Sequence, residues 1–128
     1  MTNLLAAIIT KCTGSTLATY VSNRIYLDQA PDSATFPYVV YSVVSNTPEN
    51  VFVEDVYEAI IQFSLYSKTA GATEVVTMHN YLRTLFDDAT FSVTSSTLVR
   101  CMWQHTTTML DDDIRHWAID YVMTVRVT

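Results

Sequence analysis

Residues 23–41 have the sequence NRIYLDQAPDSATFPYVVY, and the arrangement of the rest of the chain follows from this stretch. The short apolar run Ile25–Leu27 predicts a short strand. Pro31 and Asp32 then predict a turn, because proline fixes φ and aspartate bonds its own backbone. Pro37 has no N–H to donate, so it is expected in the first residues of a strand or at a sheet edge. Residues 38–44 are apolar on both faces, which predicts a central strand covered on both sides.

Helical periodicity occurs in three segments. Apolar residues at helical spacing predict helices over residues 2–11 and 16–21, with Ser15 available to cap the second. Residues 72–86 give the strongest helix prediction, because four apolar residues recur at the spacing of one helical face. Its members are Val75, Met78, Leu82 and Leu85.

Strand patterns fill the remainder. Residues 56–67 alternate between apolar and polar, and residues 115–127 do so most strictly, which fixes register because a slip of one residue would expose the apolar set. Residues 91–93 and 98–104 predict two further strands, the latter with Val99, Cys101 and Trp103 on one face. Turn-forming residues predict connections at 47–50 and 106–113.

These elements predict one α+β domain over residues 1–128. The predicted order is α-(α)-β-β-β-α-β-β-β, with an antiparallel sheet and the helices packed on one of its faces. A chain of 128 residues is long enough to bury a core without a metal or a disulfide. Cys12 and Cys101 both lie in apolar segments and are predicted to be free, buried thiols.

The composition favours a protein that associates with other proteins. Charged residues are 16% of the chain, below the roughly 25% of ordinary globular proteins, and the chain has eight tyrosines. Interfaces are poor in Lys and Glu and rich in Tyr, so part of the surface is expected to be covered. The net charge is −6 and no basic cluster occurs, which argues against a groove that grips duplex DNA. An acidic surface could still line a channel through which DNA slides.

No motif in the sequence predicts catalysis, a cofactor site or a metal site. The histidines His79, His105 and His116 lack metal-ligand spacing, although His105 and His116 are expected to face each other across the last hairpin. The run Asp111-Asp112-Asp113 lacks the alternating ligands of a calcium loop and is interpreted as a solvated turn. With two glycines in all, no phosphate-binding loop or nucleophile elbow is present.

The apolar segments of the sequence match neither a signal peptide nor a membrane span. Residues 4–10 are apolar, but no basic residue precedes them and Lys11 interrupts them, so no signal peptide is expected. No run approaches the roughly 20 apolar residues of a membrane span. The chain is therefore expected to fold in the cytoplasm and to have no membrane partner.

Packing patterns along the whole chain resemble those of one protein family. The segments concerned are Leu4, Leu5 and Ile8, residues 17–21, 24–26, 30–31 and 36–41, the strand 58–67, the helix 74–86 and the strand 117–125. Together they resemble the tail-completion or tail-terminator proteins of long-tailed bacteriophages, also called tail-to-head joining or neck proteins. Of these segments, residues 36–41, FPYVVY, support the resemblance most strongly.

The resemblance implies a virion structural protein and not an enzyme. It implies a homo-oligomeric, hexameric ring that ends the tail tube and joins the tail to the head. Its partners would be the tail tube protein, a head-completion or connector protein, and double-stranded DNA that passes through the lumen without sequence recognition. The alternatives are a head-completion or connector role in the neck, or a small α+β ligand-binding domain or enzyme with a cone-shaped pocket.

Two loop regions are the predicted contact sites of such a ring. Val51, Phe52 and Val53 form an apolar run between acidic residues. They either fold back onto the core or extend the strands, or they dock into a neighbouring subunit. The predicted last hairpin connection supplies the second region. Its proposed contact residues are Met109, Leu110, Asp111 and Asp112.

Overall fold

The computed structural model describes residues 2–50, 55–68, 71–111 and 113–127. The elements in this part of the chain are α1 Thr2–Cys12, α2 Thr16–Tyr20, β1 Ile25–Leu27, β2 Tyr38–Asn50, β3 Asp55–Ser67, α3 Thr73–Phe86, β4 Ser96–Asp111 and β5 Ile114–Val127. The strands form one sheet in the order β1-β2-β3-β5-β4. The pairs β2–β3, β3–β5 and β4–β5 are antiparallel, and β1–β2 is parallel. The α+β class is confirmed.

The helices begin and end where local chemistry predicts. Ser15 caps α2 by accepting a hydrogen bond from the backbone N–H of Ala18, at 3.1 Å. Gly14 follows α1 with φ +76°, a left-handed conformation that favours glycine at this position. In α3, Val75, Met78 and Leu82 are fully buried, which confirms three of the four predicted stripe residues, and Leu85 is partly buried against the core.

The core lies between one face of the sheet and the helices. In β3 the fully buried residues are Ala59, Ile61, Phe63 and Leu65, and in β5 they are Ile119, Tyr121, Met123 and Val125. The register pairs Phe63 with Ile119 and Ile61 with Tyr121, so both sets occupy the same face. Both strands therefore keep the alternation that the sequence predicts.

The predicted turn at residues 47–50 is wrong. These residues continue β2, where Pro48 lies opposite Tyr57 and Asn50 opposite Asp55. Proline is tolerated here because β1 covers β2 over Val39–Tyr41, and beyond it β2 is an edge strand among the described residues. For the same reason the prediction of a central strand holds for Val39–Tyr41, which are buried, but not for Val44, which is 53% exposed at a bulge.

The observed connection between β4 and β5 is also shorter than the predicted one, which spans residues 106–113. β4 continues through its three threonines to Asp111, which lies opposite Ile114. Threonine is β-branched and suits an extended, exposed strand, so a polar run here does not end the strand. The short strand expected at residues 91–93 is reduced to an isolated bridge between Val93 and Ser96. The described order is therefore α-α-β-β-β-α-β-β.

Both cysteines are free and buried, as predicted. Burial raises the pKa of the Cys12 thiol and of the Cys101 thiol to about 12. We expect both thiols to react with a thiol reagent such as Ellman's reagent at pH 8 at least tenfold more slowly in the native protein than in urea, because neither forms thiolate or is accessible. Fast labelling of one thiol in the native protein would contradict this placement.

Candidate interaction surfaces

The described residues hold no cluster suited to metal chemistry. No group of three or more His, Cys, Asp or Glu side chains within this part of the chain could bind a metal ion. His105 does not face His116, contrary to the prediction, because β4 continues to Asp111 and the hairpin closes between Asp111 and Ile114, which places Met109 opposite His116 and His105 opposite Asp120. Instead His105 Nε2 lies 3.2 Å from Asp120 Oδ2. The Asp120 carboxylate also accepts a hydrogen bond from Gln62 Nε2 at 3.0 Å.

The described residues that flank the first predicted contact region lie at the opposite end of the sheet from the second region. β2 and β3 approach their connection at Asn50 and Asp55, and Asp55 lies opposite Val127 at the end of β5. The other hairpin closes at Asp111 and Ile114, at the start of β5. At roughly 3.3 Å per residue, the length of β5 separates the two ends by on the order of 40 Å. Asn50 and Asp55 are therefore far from Met109 and Leu110 within one subunit.

The structure describes part of the predicted contact set. Val51, Phe52, Val53 and Asp112 lie outside the described residues. Met109 and Leu110 are on β4, where they are 44% and 60% exposed. Asp111 is the last residue of β4, paired with Ile114. Met109 and Leu110 are thus exposed apolar side chains beside the hairpin.

The outer strand β4 is the most apolar exposed element among the described residues. Five of the ten large apolar side chains exposed there belong to it: Val99, Met102, Trp103, Met109 and Leu110. β4 pairs with β5 on one side, and its other side is an edge of the sheet. Long apolar edges are sites where another strand or protein binds. β4 is therefore the candidate interaction surface.

Sequence patterns predict Met109 and Leu110 but not the rest of this surface. Val99 is expected on the same face as Cys101, yet it is 56% exposed while Cys101 is buried. The cause is a second bulge, between Leu98 and Arg100, which inserts Val99 as an extra residue in β4. The residues around it, Leu98 to Met102, contain neither glycine nor proline, so the sequence carries no signal for this bulge.

α3 fixes the middle of β4 from the helix side of the sheet. The Arg83 guanidinium lies over the Trp103 ring, 3.9 Å from its centroid. Trp103 Nε1 donates to Thr106 Oγ1 at 3.0 Å, and His79 Nε2 lies 3.2 Å from the same hydroxyl. Burial, together with the positive charge of Arg83, lowers the pKa of His79, so the imidazole is neutral at pH 7. These contacts position β4 while leaving its outer edge free among the described residues.

The face of the sheet opposite the helices carries an aromatic row near the β4–β5 hairpin. Ring centroids are 5.1 Å apart between Phe36 and Tyr38, 4.8 Å between Tyr38 and Tyr66, and 4.4 Å between Tyr66 and His116. Met109 joins the row and borders with it an open depression of about 300 Å³. Burial raises the pKa of Tyr66 and lowers that of His116, so both rings are uncharged at pH 7. This row therefore offers uncharged aromatic packing area to a partner.

The length and apolar character of a helix decide whether it can cross a membrane. Within the described residues, no helix has both the length and the apolar character that crossing a bilayer requires.

Comparisons with known proteins give one family and a shared fold. A sequence model of the family described as "Tail completion protein gp17" matches residues 6–127. A protein of the solved structure described as "Virion of native gene transfer agent (GTA) particle" superimposes with a TM-score of 0.80 at 15% identity, over 94% of this chain and 92% of that chain. A second solved structure has a TM-score of 0.63 at 12% identity, over 98% of this chain and 94% of that chain. A comparison with curated proteins gives no significant match.

Proposed function

The chain belongs to the tail completion protein gp17 family, and from this membership we propose that its copies form a ring that ends the tail tube. The family consists of virion structural proteins and not of enzymes. The ring is hexameric and joins the tail to a head-completion or connector protein. Double-stranded DNA passes through its lumen.

The main structural support for this proposal is the exposed apolar edge of β4. A monomer that exposes Val99, Met102, Trp103, Met109 and Leu110 along one strand gains stability by covering them. The low charge of the chain, 16%, suits a subunit whose surface is largely in contact with neighbours. No metal-binding cluster among the described residues competes with an assembly role.

The placement of the contact regions favours a ring over a two-fold dimer. Asn50, which precedes residues 51–53 in the sequence, ends β2, while Met109 and Leu110 lie at the other end of the sheet. A contact between these two regions therefore joins different copies through different surfaces. Such heterologous contacts close into rings when the rotation between copies divides a full turn.

The absence of a basic cluster in the sequence suits a DNA channel. Phosphate binding requires several convergent cations, and the chain has 7 Lys and Arg against 13 Asp and Glu. A lumen lined by such subunits lets DNA slide without holding it. Raising the salt concentration is accordingly expected to leave any weak association of the ring with DNA almost unchanged.

Solution mass and electron microscopy test the ring. The protein is measured over a hundredfold range of concentration, alone and with assembled tail tubes. We expect six-fold annuli, either free at high concentration or at the ends of the tubes. A chain that stays monomeric at every concentration and leaves tube ends bare overturns the proposal.

Phe52 is the residue of the first contact region with the largest apolar side chain. We expect Phe52→Asp to raise the concentration needed for ring formation at least tenfold, because a buried carboxylate without a partner opposes assembly. The matched control is Val76→Asp, which places the same charge on an exposed position of α3, 37% accessible and near the start of the helix. Size-exclusion chromatography with light scattering measures both. Unchanged assembly of Phe52→Asp would exclude residues 51–53 from the contact.

A further inference from the structure

We infer that the ring is built by continuing the β-sheet from one copy to the next, with residues 105–111 of β4 adding as a strand to residues 42–47 of β2 in a second copy. This inference rests on the proposed ring and names the surfaces that form it. The partner is another copy of this chain, and the contact is heterologous because the two edges are different.

The β4 edge meets the requirements for strand addition. Residues 105–111 run without a bulge from His105 to the hairpin, opposite Asp120 through Ile114 of β5. The outer side of this run has no strand partner among the described residues. Natural proteins protect such edges with lysine, proline or a bulge. The segment Thr106-Thr107-Thr108-Met109-Leu110 contains none of these.

The β2 edge is the complementary surface. β1 pairs with Val39, Val40 and Tyr41, and from Ser42 onward the described part of β2 has a strand neighbour on the β3 side alone. Residues 42–47, SVVSNT, carry no charge and no proline. Val44 in this segment is 53% exposed and lies at the bulge between Val43 and Ser45, so Ser45, Asn46 and Thr47 form the regular part of this edge. Main-chain donors and acceptors on this side of β2 are therefore available to a strand from outside.

The two edges also match in length and chemistry. Each is about 20 Å long at roughly 3.3 Å per residue. Both are uncharged through their middle, so pairing them leaves no buried charge without a partner. They lie on opposite sides of the sheet in the order β1-β2-β3-β5-β4, so joining them extends the sheet in one direction. Main-chain hydrogen bonds supply much of the affinity in strand addition, and Met109 and Leu110 add apolar burial.

A pair of adjacent proline variants tests the β4 edge. Along an edge strand, alternate backbone N–H groups point to the neighbouring strand and to the open side, so one of Thr107 and Thr108 directs its N–H outward. Thr107→Pro and Thr108→Pro are both made. The variant that loses a ladder bond to β5 is expected to unfold at a lower temperature. The other is expected to keep the wild-type unfolding temperature and to need at least tenfold more protein to form rings.

Cysteine cross-linking tests the pairing itself and does not depend on the proline variants folding. Asn46→Cys and Thr108→Cys proteins are mixed and oxidised at a concentration where rings form, with Thr106→Cys and Leu110→Cys as alternative registers. The native thiols Cys12 and Cys101 are buried and remain unreactive. We expect cross-linked dimers that contain one copy of each variant. Dimers formed by Thr108→Cys alone would show a two-fold β4–β4 contact and overturn the inference.

The outcomes separate this inference from the proposed function. Rings that persist at wild-type concentration in the folded proline variant, without mixed cross-links, overturn the strand pairing and leave the ring intact. A wild-type chain that forms no rings, alone or on tail tubes, overturns both.

Discussion

Replacing Phe63 with alanine is expected to destabilise the protein by about 3–5 kcal/mol, a typical cost of removing a fully buried aromatic ring. Phe63 is at the centre of β3 and is 0% exposed. Its ring centroid is 4.8 Å from that of Phe86 on α3 and 5.8 Å from that of Tyr121 on β5. The side chain therefore joins the sheet to its longest helix, and alanine would leave a cavity that neither element can fill.

Urea unfolding followed by tryptophan fluorescence measures this loss, with Trp103 and Trp117 as the reporters. Phe63→Leu keeps most of the apolar volume and is expected to lose less than half as much stability. Val76→Ala, at an exposed position of α3, is expected to change stability by no more than about 0.5 kcal/mol. A loss below about 1 kcal/mol for Phe63→Ala would show that Phe63 does not hold the sheet and helix together.

The elements that the sequence predicts well are those with a strong period and a buried face. The sequence predicts β5 and its register because Trp117, Ile119, Tyr121, Met123 and Val125 alternate without interruption, and the last four are fully buried. It predicts α3 for the equivalent reason at helical spacing. In both, the hydrophobic effect and the backbone geometry favour the same arrangement.

The lengths of the hairpins could not be predicted from residue types. Pro48 has the chemistry of a turn, yet it lies within β2 because its missing N–H falls on an open edge. Thr106, Thr107 and Thr108 are polar, yet they extend β4 because an edge strand tolerates polar residues on both faces. The decisive information in each case is which strands are neighbours, and that is a tertiary property.

The sequence predicts one end of the candidate interaction surface on β4 but not the rest of it. Met109 and Leu110 are apolar residues beside an acidic turn, a pattern visible in the sequence. Simple alternation predicts Val99, Cys101 and Trp103 on one face, and Trp103 does share the face of Cys101, but the bulge between Leu98 and Arg100 moves Val99 off it. A bulge exchanges the two faces of a strand from that residue onward, and neither bulge in β4 is marked by glycine.

A second large effect is expected at the end of α3, where Asp87→Ala should cost about 2–3 kcal/mol. The Asp87 carboxylate accepts hydrogen bonds from Arg83 Nε at 2.8 and 2.7 Å and from the Tyr121 hydroxyl at 2.6 Å. The Arg83–Asp87 ion pair is about one-third exposed, so solvent screens it and its own contribution is small. The main cost arises at Tyr121, which is 0% exposed and would lose its hydrogen-bond acceptor.

The pH dependence of stability separates the carboxylate from simple loss of volume. Burial opposes the charge on Asp87, but the hydrogen bonds from Arg83 and Tyr121 outweigh it and hold the pKa of the carboxyl below its usual value. A lowered folded-state pKa stabilises the protein above the ordinary carboxyl pKa, and this stability is lost as the pH falls through the lowered value. The difference between wild type and Asp87→Ala is therefore expected to be full at pH 7 and to shrink below about pH 4.

A double-mutant cycle with Tyr121→Phe identifies the partner responsible. Tyr121→Phe removes the hydroxyl and leaves the Arg83–Asp87 pair in place, so it is expected to cost about 1 kcal/mol. In the double variant no buried hydroxyl remains without an acceptor, and its loss should be smaller than the sum of the two single losses by at least about 0.5 kcal/mol. Strict additivity, or a loss in Asp87→Ala that stays constant from pH 7 to pH 3, would show that the carboxylate does not hold Tyr121. Since Arg83 also lies over Trp103, Asp87→Ala is expected to loosen the middle of β4 and to weaken ring formation more than Tyr121→Phe does.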